Sequence, residues 1–182
     1  MRYEVFGPFP FCTTKGVRHR KALRQFWAER EKDGRSKGLC DAVGVYVWTV
    51  TEGAKRIPWN VGIASKRGFK GRFPEKEATF LRFLAERPDA KIEVYLLARR
   101  SKTERFSKTR QTKLNDWLET MLIGSSISVN PELMNSAKSK YLRTTVVDGY
   151  LNDKREERSE AASSFSELFE AQPRKRKHVG TR

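Results

Sequence analysis

Two short runs in the middle of the chain constrain its fold more than any other feature. Residues 43–50 (VGVYVWTV) are dense in β-branched and aromatic types, and residues 59–64 (WNVGIA) repeat that character after a connection holding Gly53 and Pro58. Such side chains favour extended backbone, while glycine and proline favour the reversal between them, so the pair predicts a β-hairpin. Residues 91–98 (KIEVYLLA) predict a third strand.

Helical periodicity accounts for much of the rest. Leu114, Trp117, Leu118, Met121 and Leu122 fall at i, i+3, i+4, i+7 and i+8, one apolar stripe expected to lie on the sheet, with Glu119 at its edge. Residues 18–32 predict a basic helix in which Leu23, Phe26 and Trp27 face inward while Arg18, Arg20, Lys21 and Arg24 crowd the first turns. Phe80, Leu81, Phe83 and Leu84 recur near helical spacing until Pro88 stops them. Residues 1–12, punctuated by Gly7, Pro8 and Pro10, suit an extended arm or short edge strand. Residues 99–113 hold seven Lys or Arg against one Glu and read as a charged loop. The expected organisation is an N-terminal arm and basic helix at 1–40, a central α+β domain at 41–150 and a charged, disordered tail at 151–182, within which SFSELFEA is a transient amphipathic turn.

Charge then narrows the partners. The chain of 182 residues carries 38 Lys and Arg against 22 Asp and Glu, a net +16. A surplus of that size concentrates polyanions before any specific contact forms, so nucleic acid is the expected partner. No stretch approaches the roughly 20 apolar residues of a membrane span, and residues 2–4 (RYE) do not open a signal core. A cytoplasmic protein with no membrane partner is expected; the PRKRKH cluster at 173–178 is of the nuclear-import or nucleic-acid-arm type. Cys12 and Cys40, with no CxxC spacing, predict free thiols rather than a disulfide framework or structural zinc.

The chemistry is carried by an ordered set of short motifs. Gly44-Val45-Tyr46 on the first strand is followed by Asn60-Val61-Gly62 on the second, then by KRGFKGR ending at Arg72, by Glu119 within LETMLI, and by NPELMN ending at Asn135. Over about residues 43–135 this resembles the GIY-YIG nuclease superfamily. The resemblance implies a small three-stranded antiparallel sheet flanked by helices and a metal-dependent endonuclease, with DNA favoured over RNA as substrate.

By that resemblance Tyr46 is the general base or orients the attacking water, Arg72 clamps the scissile phosphate, and Glu119 holds Mg²⁺ or Mn²⁺. Asn135 braces the site through side-chain hydrogen bonds. Asn60 stands where the family carries its second tyrosine, and an amide cannot share a phenol's acid–base role. The alternative is therefore a nucleic-acid-binding module that has kept the fold and lost the reaction. Lys66, Arg67, Lys70, Lys76, Arg99 and Arg100 are the expected phosphate contacts, arranged either as one track or as separate solvated faces. Trp48, Trp59 and Phe69 offer rings for stacking on bases, although such residues more often fill a core.

Overall fold

The computed structural model describes residues 2–11, 19–73, 90–100, 105–108, 112–135, 138–146, 157 and 159–167. The hairpin forms as expected: β2 (Gly44–Glu52) runs antiparallel to β3 (Lys55–Ala64), with Glu52 opposite Lys55 and Tyr46 opposite Gly62. Only Gly53 and Ala54 separate the strands, and Gly53 supplies the positive φ of 60° that so tight a reversal needs. On its other side β2 pairs with β4 (Lys91–Arg99), which sets Tyr46 against Leu96 and Val45 against Leu97.

The sheet has four strands, not three, in the order β1-β4-β2-β3. The added strand is β1 (Tyr3–Pro10), antiparallel to β4, with Tyr3 opposite Arg99 and Phe6 opposite Leu96. Gly7 permits this close pairing. At φ 111° any Cβ there would lie 2.6 Å from the Val94 carbonyl oxygen, and the register shifts between Phe6 and Phe9 as the chain passes that point.

Strand alternation gives the sheet two unlike faces. Gly44, Tyr46, Trp48 and Val50 share one face with Ala98, Leu96, Val94 and Ile92, and there the main core gathers. Helix α1 (His19–Lys32) contributes Leu23, Phe26 and Trp27 to it, as its periodicity predicted. A short helix, α2 (Gly68–Arg72), adds Phe69, and Phe73 follows directly. Phe73 is the hub, with ring centroids 5.1 Å from Trp27, 5.6 Å from Tyr46 and 4.9 Å from Trp48. Offset and edge-on aromatic pairs at such separations add to the stabilisation their buried area provides.

The other face carries helix α3 (Thr112–Val129), packed against β3 and β2. Its side of the sheet follows from Tyr3, which shares a face with Leu97 and Val45 and donates its phenol proton to Asn115 Oδ1. The expected apolar stripe is only partly right. Leu114, Leu118 and Leu122 are half-buried, but Trp117 is 59% and Met121 54% exposed, whereas Asn115, Ile123 and Ser126 are buried. The helix's inward line runs instead through Asn115, Glu119, Ile123 and Ser126, with Tyr3 bonded to Asn115 in its first turn.

Beyond Lys138 lies a second unit, Ser139–Arg182. It contains α4 (Ser139–Thr144) and α5 (Glu160–Glu167). Ser159 starts α5 by accepting the Ala162 amide proton on its Oγ, and the helix overlaps the SFSELFEA stretch in which an amphipathic turn was expected. The helix expected around Phe80–Leu84 and the PRKRKH cluster lie outside the described residues, as do Cys12 and Lys76.

Candidate functional site

The motif residues are assembled from the β2–β3 hairpin outward. Tyr46 is fully buried, and its phenol lies across the hairpin over Gly62: a Cβ at residue 62 would sit 2.3 Å from the Tyr46 hydroxyl oxygen. Only glycine fits beneath that ring, which is the physical reason for the Tyr46–Gly62 pairing of the two tripeptides. Asn60 shares this face, two residues before Gly62, and is 7% exposed.

Asn135 reaches the same hairpin from the far end of the sequence. Its Oδ1 accepts the Val61 amide proton at 2.8 Å and its Nδ2 donates to the Val61 carbonyl at 2.6 Å, so one side chain satisfies both edge-facing groups of that residue. Asn130 Nδ2 donates to Pro58 O at 2.8 Å and the Met134 amide to Trp59 O at 2.8 Å. Residues 130–135 therefore cover the open edge of β3 in place of a further strand, and the turn-like NPELMN acquires a structural role. Asn60 Nδ2 stands 3.5 Å from Asn135 Oδ1, while Asn60 Oδ1 is buried with no hydrogen-bond partner.

Arg72 closes α2, half-buried, next to the Phe73 that packs on Tyr46. Tyr46, Asn60, Arg72 and Asn135 thus belong to the hairpin, its edge and the helix that follows it. Glu119 belongs elsewhere. It rides on α3, across the sheet from the Tyr46 face, with its side chain 13% exposed.

Glu119 is already in an ion pair. Its Oε2 lies 2.6 Å from Lys138 Nζ, and Asp116 Oδ1, one turn earlier on α3, lies 3.1 Å from the same nitrogen. Burial works against the charge on Lys138, but the hydrogen bonds and charges of Glu119 and Asp116 outweigh it and raise the ammonium above its ordinary value. A hard divalent cation takes oxygen ligands and keeps several waters, so a carboxylate pair of this kind suits one in donor chemistry. The point on which these carboxylates converge is held by an ammonium, and among the described residues no three His, Cys, Asp or Glu cluster as a metal site. Asp116 and Lys138 were not singled out from sequence. The Asp116–Glu119 spacing of three was legible as one helix face, but Lys138 comes 19 residues after Glu119, past a turn.

The basic candidates divide. Lys66, Arg67 and Lys70 are exposed on and just before α2. Arg100 is engaged with Glu4 and stacks 4.4 Å from the centre of the Phe106 ring, and Arg99 donates to Ser107 Oγ at 2.8 Å. Those two arginines tie the loop after β4 back onto the sheet. Trp48, Trp59 and Phe69 are buried core residues, the commoner of the two roles open to them from sequence. Cys40 is a buried free thiol whose proton faces Glu31 Oε1 at 2.8 Å; burial, then that hydrogen bond, push it up to about 12. Burial and the Glu31 bond disfavour the thiolate that nucleophilic chemistry needs.

Among the described residues no helix is long and apolar enough to cross a membrane. No protein-family model matches the chain, and no curated protein and no solved structure matches it.

Proposed function

We propose that the chain acts on nucleic acid as a GIY-YIG-type endonuclease, hydrolysing phosphodiester bonds in DNA ahead of RNA with Mg²⁺ or Mn²⁺. One observation carries this reading: three segments distant in sequence, 44–46, 60–62 and 130–135, meet at one hairpin, with Tyr46 seated over Gly62 and Asn135 bonded to Val61. In this reading Arg72 holds the phosphate through a permanently charged guanidinium, and exposed Lys66, Arg67 and Lys70 supply non-specific backbone contacts. Tyr46 accepts or orients the proton of the attacking water, and its ordinary pKa near 10 requires neighbouring cations to lower it. Glu119 would hold the divalent cation, a Lewis acid toward a phosphodiester oxygen, and its place across the sheet from Tyr46 is the feature of the fold that fits this reading least.

A second reading, a binding module without catalysis, is favoured by a specific feature. The Tyr46 hydroxyl oxygen is sealed from solvent, and Asn60 beside it has no phenol to offer. One assay separates the two: cleavage of supercoiled plasmid, short duplexes and RNA by wild type and Glu119→Ala, with Mg²⁺, Mn²⁺ and chelator. The endonuclease reading expects metal-dependent cutting that vanishes in Glu119→Ala. Salt-sensitive binding with no cutting of any substrate leaves the binding module.

A further inference from the structure

We propose that Lys138 is a resident cation at the Asp116–Glu119 carboxylates, its ammonium holding the position a divalent metal ion would take and keeping that ion out. The proposal rests on the reading of Glu119 as the cation-binding carboxylate and adds a residue that controls access to it.

The geometry is that of a cation site. Two carboxylate oxygens from successive turns of α3 (Thr112–Val129) converge on one nitrogen, at 2.6 Å from Glu119 and 3.1 Å from Asp116. Among the described residues Lys138 is the one side chain that hydrogen-bonds the Glu119 carboxylate. The ammonium is a compact point charge with three donors, two of which are used here; it resembles a small hard cation more closely than a guanidinium does.

The backbone supports the assignment. Lys138 has φ 64°, and among the described residues it is the one non-glycine with positive φ. L-residues rarely adopt that conformation, and a long charged side chain gains nothing from it locally. Here the conformation accompanies an ammonium directed at Glu119 and Asp116, so the chain accepts an unfavourable backbone where it delivers a positive charge to those carboxylates. Mg²⁺ or Mn²⁺ cannot share a carboxylate oxygen with an ammonium at this distance without strong repulsion, so entry of the metal requires Lys138 to leave.

The test measures metal binding directly. Mn²⁺ is titrated into the full chain and free Mn²⁺ is read by electron paramagnetic resonance, for wild type, Lys138→Gly and Lys138→Gly with Glu119→Gln. Glycine suits φ 64° and removes the ammonium without asking the backbone to move; Lys138→Asn, which also tolerates that conformation, serves if the glycine variant fails to fold by circular dichroism. The expected result is Mn²⁺ binding tightened by roughly tenfold or more in Lys138→Gly, with the gain lost in the Glu119→Gln background. Unchanged affinity in Lys138→Gly, or a gain that survives Glu119→Gln, overturns the proposal. Binding that tightens as expected while no substrate is cut keeps Lys138 in this role and removes the nuclease reading; metal-dependent cutting with unchanged affinity does the reverse.

Discussion

The two faces of the sheet are built on different principles. The Tyr46 face is an aromatic core in which Phe26, Trp27, Trp48 and Phe73 make successive ring contacts, and apolar burial dominates the seating of α1 and α2, with Arg30 stacked on Phe9 and the Phe69 amide donating to Ala42 O. The α3 face buries few large side chains beyond Val45, Val61 and Ile123, and polar anchors orient it: Tyr3 on Asn115, and Lys138 on Asp116 and Glu119. The same face carries a polar network in which Arg56 grips Glu93, which also accepts from Thr51. The first face is dominated by close-packed rings, so it is expected to respond to loss of volume more than to salt. The second is a place where charge can be exchanged, and the Glu119 carboxylate lies there.

The sharpest way to break this contrast is at the aromatic hub. Phe73→Ala removes a ring that touches four aromatic neighbours, Phe26, Trp27, Tyr46 and Trp48, and is expected to cost about 4 kcal/mol by urea unfolding. A loss under about 1 kcal/mol would mean the hub collapses around the cavity and the face is not rigid. Asn135→Leu tests the edge between the faces. It leaves the Val61 amide and carbonyl without their side-chain partner and is expected to cost about 2 kcal/mol, with faster amide hydrogen exchange at Val61; unaltered exchange there would show that the 130–135 loop does not need its asparagine. Trp117→Ser should do least. An exposed ring on the outer side of α3 is expected to change stability by no more than about 0.5 kcal/mol, and a larger loss would place Trp117 in a contact that the fold described here does not contain.

Much of the fold was legible in the sequence because its signals were local. The β2–β3 hairpin, β4 and the inward residues of α1 followed from residue type and spacing, where the physical cause acts within a few residues. The fourth strand was harder. Gly7, Pro8 and Pro10 argue against regular pairing, and only contact with β4 decides that residues 3–10 pair nonetheless. The rotation of α3 failed for a related reason. Hydropathy placed Trp117 and Met121 inward, whereas the side chain buried on that helix is Asn115, bonded to Tyr3 from 112 residues away.

The candidate site divides in the same way. Tyr46, Gly62 and Asn135 could be named from ordered motifs, and Tyr46 over Gly62 is a consequence of strand register that a sequence nearly dictates once the hairpin is recognised. The occupancy of Glu119 could not be read at all. Ion pairing depends on where a side chain arrives after the whole chain has turned, and nothing within a few residues of Lys138 reveals that its ammonium meets two carboxylates on α3. By itself the sequence determined the strand and helix types and the +16 charge, because propensity, periodicity and composition are properties of neighbouring residues or simple sums. Only the tertiary structure decided which face each motif residue occupies and which charge stands against Glu119, because those depend on distances between segments far apart along the chain.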